Sequence, residues 1–171
     1  MPDDRIDKLE KSLAYLRKRL DEVERGQRHD RGALGYALTA CTVAGALGVL
    51  TATTWRSASD SDGHLDQATT LWGMVPEGWQ AVVTLALVLL TAGGSLAAFT
   101  GESGRATHIF FVVAALVTII AIVFLVGQVE PDGFYDPEDT DVGTGRWLSG
   151  LACLVLAVVH GAKAGERPPR R

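Results

Sequence analysis

The stretch that decides the fold runs from Trp79 to Gly127 and reads WQAVVTLALVLLTAGGSLAAFTGESGRATHIFFVVAALVTIIAIVFLVG. Only Glu102 and Arg105 are charged in it, and both lie in the short segment GESGR between two apolar runs. A helix needs about 20 apolar residues to cross the roughly 30 Å hydrocarbon layer of a bilayer, and each run is about that long. The stretch therefore predicts two membrane-spanning helices joined by a tight turn.

Two further apolar runs flank this hairpin, so the sequence predicts four spans. Their predicted bounds are 32–54, 79–100, 107–127 and 147–162. The runs are continuous rather than alternating, and lipid gives the backbone no hydrogen-bond partners, so we expect helices. The fourth run is the shortest, and it reaches full length by starting near Val142 or by continuing to Ala164. The predicted fold class is all-α, a four-helix transmembrane bundle preceded by a cytoplasmic helix.

The distribution of charge excludes a soluble globular domain and sets an orientation. Fourteen of the sixteen Lys and Arg residues lie in residues 1–31, in the turn before the third span, or in the tail 163–171. The other two, Arg56 and Arg146, are the only cations in the loops 55–78 and 128–146. Because Lys and Arg near span ends are retained in the cytoplasm, both termini are predicted to be cytoplasmic. The excess of Arg over Lys and the abundance of Ala and Gly favour a bacterial plasma membrane.

Tryptophans mark the opposite side. Trp55 closes the first span, Trp79 opens the second and Trp147 opens the fourth. Because indole rings prefer the headgroup zone, these three are predicted to be interfacial anchors. Trp72 lies in a loop, where either anchoring or contact with a partner would fit.

The segment before the membrane, residues 1–31, is predicted to be a heptad helix followed by a hinge at Gly26. Its apolar stripe consists of Ile6, Leu9, Leu13, Leu16, Leu20 and Val23, at spacings of 3 and 4 residues. Arg19 and Glu24 at the flanking g and e positions attract each other between parallel chains, so a parallel homo-oligomer is predicted. The stripe does not decide the number of chains. Docking on another membrane or cytoplasmic protein, or lying on the lipid surface, are the alternatives.

Small residues at four-residue spacing predict the faces on which the spans pack. In the first span these are Ala37, Cys41 and Gly45, with an adjoining ridge at Ala40, Ala44 and Gly48; in the fourth they are Ser149, Cys153, Ala157 and Gly161. The third span is almost wholly Val, Ile, Leu, Phe and Ala, so it is predicted to face lipid over much of its circumference. Cys41 and Cys153 lie at similar predicted depth, and packing is favoured over a disulfide or a metal pair.

Residues that carry chemistry are scarce. No acidic or basic side chain is predicted within the hydrocarbon layer, and no catalytic or nucleotide-binding motif occurs. His108 and His160 lie near the cytoplasmic boundary and are interpreted as interfacial side chains rather than members of a proton relay. The outer loops are acidic, and the run from Asp136 to Asp141 has calcium-type ligands but lacks EF-hand spacing, which favours solvated loops. No enzyme activity, cofactor, metal or nucleic-acid partner is predicted.

These observations predict a non-enzymatic, multi-pass membrane protein that acts as an oligomeric scaffold or as a regulator of partner proteins. The alternative is an oligomeric channel or small-solute pore. Its polar lining would consist of Thr39, Thr42, Thr84, Thr91 and Ser95.

Overall fold

The computed structural model describes residues 3–59, 65–100, 103–125 and 140–166. Its long helices are α1 (Asp3–Leu50), α2 (Trp79–Thr100), α3 (Arg105–Ile120) and α4 (Thr144–Gly165). A 3-10 turn occupies Val75–Glu77, and a π-helical turn, Ala121–Leu125, extends α3. The segments Arg31–Leu50, Trp79–Phe99, Arg105–Leu125 and Thr144–Gly165 are long and apolar enough to cross a membrane. The predicted four apolar helices are therefore confirmed, by length and composition.

The fourth apolar helix is longer than the span predicted for it. The predicted span covers 147–162, whereas α4 has 22 residues and extends beyond that run at both ends. At its C-terminal end Lys163 forms an ion pair with Glu166, with 2.6 Å between Nζ and Oε2. A helix of 22 residues has a length of about 33 Å, enough to cross the hydrocarbon layer.

The chain divides into two compact units, residues 1–37 and 38–171, and α1 contributes to both. The predicted hinge is not seen in the helix, because α1 continues through Gly26. A glycine inside a helix costs only about 1 kcal/mol relative to alanine, and the polar residues around it are helix formers. This difference concerns the helix itself and leaves the heptad pattern unchanged.

Side chains terminate α1 at Leu50, earlier than the predicted span end at residue 54. The hydroxyl of Thr51 donates to the carbonyl of Gly48 at 2.7 Å, and that of Thr53 donates to the carbonyl of Leu50 at 2.7 Å. The indole N–H of Trp55 also donates to the Leu50 carbonyl, at 2.8 Å. The last carbonyls of a helix have no partners within the helix, and here hydroxyl and indole donors satisfy two of them.

A small antiparallel sheet joins the two loops at this end of the bundle. Its strands are β1 (Thr54–Ser59), β2 (Leu65–Thr70) and β3 (Thr140–Val142), in the order β2-β1-β3. Arg56 of β1 pairs with Thr69 on one side and with Val142 on the other. The all-α prediction is wrong for these segments. Threonines favour extended backbone, and the spans bring the two distant loops to the same place.

Within the second unit, α2 and α4 bury matching stripes. The positions are Thr84, Val88, Thr91 and Ser95 on α2, and Ser149, Cys153, Leu156 and His160 on α4, all at most 1% exposed. Both sets follow the spacing i, i+4, i+7, i+11, which keeps each set on one helix face. From α3 the same core receives His108, Phe111, Ala115, Thr118 and Ile122. The bundle core is therefore unusually polar for a set of apolar helices.

The two ends of this bundle differ in their structure and charge. The sheet end holds β1, β2 and β3 together with the N-termini of α2 and α4. The basic end holds the N-terminus of α3 with Arg105 and the C-terminus of α4 with Lys163.

One glycine in the bundle permits a close helix contact. A Cβ atom added at Gly94 of α2 would overlap the ring of Phe111 on α3. The absent side chain therefore lets the aromatic ring lie directly against the backbone of α2.

Candidate functional site: a buried polar core and an exposed leucine stripe

The residues predicted to pack the spans are divided between buried and open positions. On α4, Ser149, Cys153 and Ala157 are buried, whereas Gly161 is exposed. On α1 the predicted ridge is the less buried one: Ala37 and Cys41 are half-buried, and Gly45 is exposed. In the adjoining ridge Ala40 and Ala44 are buried and Gly48 is half-buried, and Leu47 beside it is buried too. Cys41 and Cys153 are both free thiols.

The tryptophans fall into two classes. Trp79 and Trp147 are 65% and 68% exposed, and their role as interfacial anchors stays a prediction. Trp55 is only 1% exposed, and its N–H terminates α1, so its environment is the protein interior rather than an interface. Trp72 is half exposed and donates to the hydroxyl of Thr51 at 2.9 Å.

The two cations at the sheet end each hold two segments together. Arg56 of β1 forms an ion pair of 2.7 Å with Glu77, at the end of the 3-10 turn. Arg146 of α4 donates to the carbonyl of Ile122 at 2.9 Å and to that of Val123 at 2.6 Å. A π-helical turn changes the regular hydrogen-bond pattern of a helix, and the guanidinium N–H groups supply donors to two of its carbonyls. Arg146 thereby ties α4 to the end of α3.

At the basic end, two histidines meet inside the bundle. Nδ1 of His108 on α3 lies 2.9 Å from Nδ1 of His160 on α4. Nε2 of His160 lies 3.0 Å from the hydroxyl oxygen of Ser95 on α2. The two rings are 5% and 0% exposed, so they are not the interfacial side chains that the sequence suggests. One hydrogen-bonded chain, Ser95–His160–His108, thus connects three helices.

Aromatic rings surround this chain on two sides. The ring centroid of Phe99 lies 5.2 Å from that of His108 and 5.0 Å from that of His160. The centroid of Phe111 lies 5.3 Å from that of His160. In such a water-poor enclosure a hydrogen bond is electrostatically strong, and an unpaired polar group is costly. The pairing of the two Nδ1 atoms is therefore an organised feature of the core.

A second polar contact occupies the middle of the bundle. The hydroxyls of Thr91 on α2 and Thr118 on α3 are 2.9 Å apart. Thr118 also donates to the carbonyl of Ala114, one turn earlier on its own helix, at 2.8 Å. Since a hydroxyl has one proton, Thr91 is then the donor to Thr118. The two helices are linked at this level by a directed hydrogen bond.

Nearer the sheet end, the polar core has no such pairing. Among the described residues, the buried hydroxyls of Thr84 and Ser149 have no hydrogen-bond partner. Thr84 precedes Ser95 by eleven residues on α2, and Ser149 precedes His160 by eleven residues on α4. Eleven residues are about three helical turns, or roughly 16 Å, so each hydroxyl lies on the same face as its counterpart at the basic end.

The predicted pore-lining residues do not share one surface. Thr84, Thr91 and Ser95 are buried in the core of a single chain, whereas Thr39 and Thr42 of α1 are exposed. The acidic run from Asp136 to Asp141, discussed above for calcium, lies mostly outside the described residues.

In the described part of the first unit, the predicted apolar stripe is exposed. Leu13, Leu16, Leu20 and Val23 are between 55% and 68% exposed. The side chains of Ile6 and Leu9 lie outside what the structure describes. On the flank, Arg19 donates to the hydroxyl of Tyr15 at 3.2 Å. An apolar stripe of this length on a hydrophilic helix is a surface that a partner ordinarily covers.

Sequence reasoning identified the stripe but did not identify the histidine chain. The positions of His108 and His160 in the sequence indicate how far each lies from the end of its predicted span. They do not indicate which neighbouring helix each ring faces. The available signal was periodicity: polar residues at 84, 91 and 95, and at 149 and 160, repeat on one face of each helix.

Comparison with known proteins gave no relatives: no protein family matches the chain, and neither curated proteins nor solved structures match it.

Proposed function

We propose that this chain is a non-enzymatic, multi-pass membrane protein that assembles with copies of itself and serves as a scaffold or regulator of partner proteins. The observation that carries the proposal is the exposed stripe of Leu13, Leu16, Leu20 and Val23. Four apolar helices compatible with membrane insertion support its location in a bilayer. The distribution of Lys and Arg supports an orientation with both termini in the cytoplasm, and the excess of Arg over Lys with the abundance of Ala and Gly supports a bacterial plasma membrane.

Burial is the physical reason for self-association. Covering a leucine or valine side chain contributes about 1.5–3 kcal/mol, and a second copy offers the same stripe in the same register. Two copies anchored in one membrane have their heptad helices on the same side, which favours parallel pairing and raises their effective concentration. In that pairing Arg19 of one chain lies beside Glu24 of the other, and opposite charges meet.

The test is the native mass of the full chain in detergent or nanodiscs, measured by light scattering. Leu13→Asp with Leu16→Asp places carboxylates in the stripe and should reduce the mass to that of one chain. The matched control is Ala14→Asp with Tyr15→Asp, which adds the same charge at neighbouring positions outside the stripe and should leave the mass unchanged. An unaltered mass in the stripe variant would contradict self-association through this surface.

A second experiment tests whether the stripe binds another protein instead of a second copy of the chain. If the stripe binds another protein rather than a copy, the wild-type chain should be monomeric after purification but should retain that protein when isolated from native membranes. Loss of the retained protein in the stripe variant, with retention in the control variant, would then favour docking over self-association.

A further inference from the structure

The hydrogen-bonded chain of Ser95, His160 and His108 allows two arrangements of its protons. Two neutral imidazoles carry one N–H each, and a hydrogen bond between the Nδ1 atoms requires that one of them holds a proton and the other does not. In one arrangement Nδ1–H of His108 donates to His160, whose Nε2–H then donates to Ser95. In the other arrangement Nδ1–H of His160 donates to His108, and the hydroxyl of Ser95 donates to Nε2 of His160.

An added proton can bind only at an Nε2 atom. Either neutral arrangement has one Nε2 without hydrogen. A proton can bind to His108 directly, or to His160 once the Ser95 hydroxyl turns from donor to acceptor, and both routes give the same cation with one shared Nδ1 proton and two Nε2–H groups. A second added proton would put N–H groups on both Nδ1 atoms, facing each other at 2.9 Å. Two like charges at that separation in a water-poor core repel strongly. The pair therefore holds one extra proton and no more.

From this geometry we propose that the Ser95–His160–His108 chain is a proton-binding site of the bundle, with a capacity of one proton. Imidazole is the side chain that gains and loses a proton near neutral pH, and here two of them act as one unit. The proposal is independent of oligomerisation, because all three residues belong to one chain.

The position of the site gives the proton access from the basic end. His108 is the fourth residue of α3, and no described residue forms a hydrogen bond with its Nε2. Nε2 of His108 is therefore the atom at which a proton enters when His160 donates to Ser95. The second nitrogen that can accept, Nε2 of His160, is hydrogen-bonded to Ser95.

Few charged side chains belong to the described parts of the helices that form the site. Within α2 no residue is charged, and it contributes Ser95 and Phe99. The first turn of α3 holds Arg105, which is exposed, and the end of α4 holds the Lys163–Glu166 ion pair. Residues 38–50 of α1 contain no charged side chain. Among the described residues of α2, α3 and α4, the charged groups at this end are therefore one ion pair, Lys163 with Glu166, and one exposed cation, Arg105.

Binding of the proton changes what Ser95 does. In the cation both Nε2 atoms carry hydrogen, so Ser95 has to accept from His160 and its own O–H becomes available to another acceptor. Since Ser95 belongs to α2 and the histidines belong to α3 and α4, protonation fixes the direction of one contact between helices.

Nuclear magnetic resonance of the full chain in nanodiscs tests the site, using ¹⁵N-labelled histidine. His29→Gln with His64→Gln removes the other two histidines, so that only the pair gives signals. We expect one protonated and one bare Nδ1 at alkaline pH. On acidification from alkaline pH, both rings should respond with one shared midpoint and take up one proton per chain.

Several results would overturn the proposal. They are uptake of two protons with separate midpoints, no uptake before the protein unfolds, and two bare Nδ1 atoms, the state that a metal ion between the rings would need. These measurements use the histidine pair intact, so they do not depend on a core variant folding.

Matched variants test the role of Ser95. Ser95→Ala removes the partner of Nε2 and should shift the midpoint of the pair. Ser149→Ala deletes an equally buried serine hydroxyl, which lies eleven residues before His160 on α4 and near the sheet end. This variant should leave the midpoint of the pair unchanged. Equal midpoints for wild type and Ser95→Ala would remove Ser95 from the proton-binding site.

Discussion

The two ends of the bundle core use the same spacing of polar residues with opposite outcomes. At the basic end, Ser95 and His160 are hydrogen-bonded to each other, and His160 is bonded to His108. Eleven residues earlier on the same faces, Thr84 and Ser149 are equally buried and have no partner among the described residues. The comparison separates what a polar side chain contributes when it is paired from what it costs when it is only buried.

The proposed location in a bilayer makes this difference informative. In a bilayer, apolar side chains gain little by leaving lipid for another helix, so packing and interhelical hydrogen bonds would carry much of the association. The paired end should therefore hold α2, α3 and α4 together, whereas the unpaired hydroxyls should not. The predictions that follow concern the free energy of unfolding in detergent, measured by thermal or denaturant unfolding.

The largest effect is expected for His160→Leu. This substitution removes both hydrogen bonds of the central residue and leaves Ser95 and His108 buried without it, at a cost of roughly 2–4 kcal/mol. Val158→Leu on the same helix is the control, because Val158 is 64% exposed and the change should be close to neutral. A His160→Leu protein as stable as wild type would show that the chain contributes nothing to packing.

Arg146→Met should have the next largest effect, and it tests the periphery of the sheet end. The guanidinium donates to the carbonyls of Ile122 and Val123, and hydrogen bonds involving a charged group contribute about 1.5–3 kcal/mol. Because the site is partly exposed, we expect a loss of about 2 kcal/mol. Arg105→Met, an exposed arginine at the other end, should change stability little; equal losses for both variants would contradict this role of Arg146.

The sequence predicts features that depend on residues close together in the chain, and it does not predict contacts between distant residues. Apolar length is a local property, so the four apolar helices were predictable, including the bounds of α2 at Trp79 and Thr100. The sheet was not, because β1 pairs with β3, more than eighty residues away, and neither strand has an alternating apolar pattern. Short, mixed strands give a weak signal until the spans bring them together.

The candidate site shows the same limit within one helix. Small-residue spacing in α1 predicts two adjoining ridges, and only the neighbouring helices decide that Ala40 and Ala44 are buried rather than Gly45. For His108 and His160 the sequence indicates depth alone. Their direct contact depends on the relative rotation of α3 and α4, which no single span encodes.

The two serines give a smaller and cleaner test of the comparison between the ends. Ser95→Ala deprives Nε2 of His160 of its partner and should cost about 1 kcal/mol. Ser149→Ala removes a hydroxyl that has no partner and should be neutral or stabilising by up to about 1 kcal/mol. The chemical change is identical in both variants and both sites are fully buried. A loss of the same size in each would mean that Ser149 is paired in solution, and the contrast between the ends would disappear.

The smallest effects are expected for the threonines of α2, where valine has the same shape. Thr91→Val removes the hydrogen bond to Thr118, but Thr118 keeps its bond to the carbonyl of Ala114, so the loss should be only about 0.5 kcal/mol. Thr84→Val replaces an unpaired hydroxyl by a methyl group and should raise stability by a similar amount. Opposite signs for two equal substitutions, two turns apart on one face, would show that pairing rather than burial decides. A loss in Thr84→Val would instead reveal a partner for its hydroxyl near the sheet end.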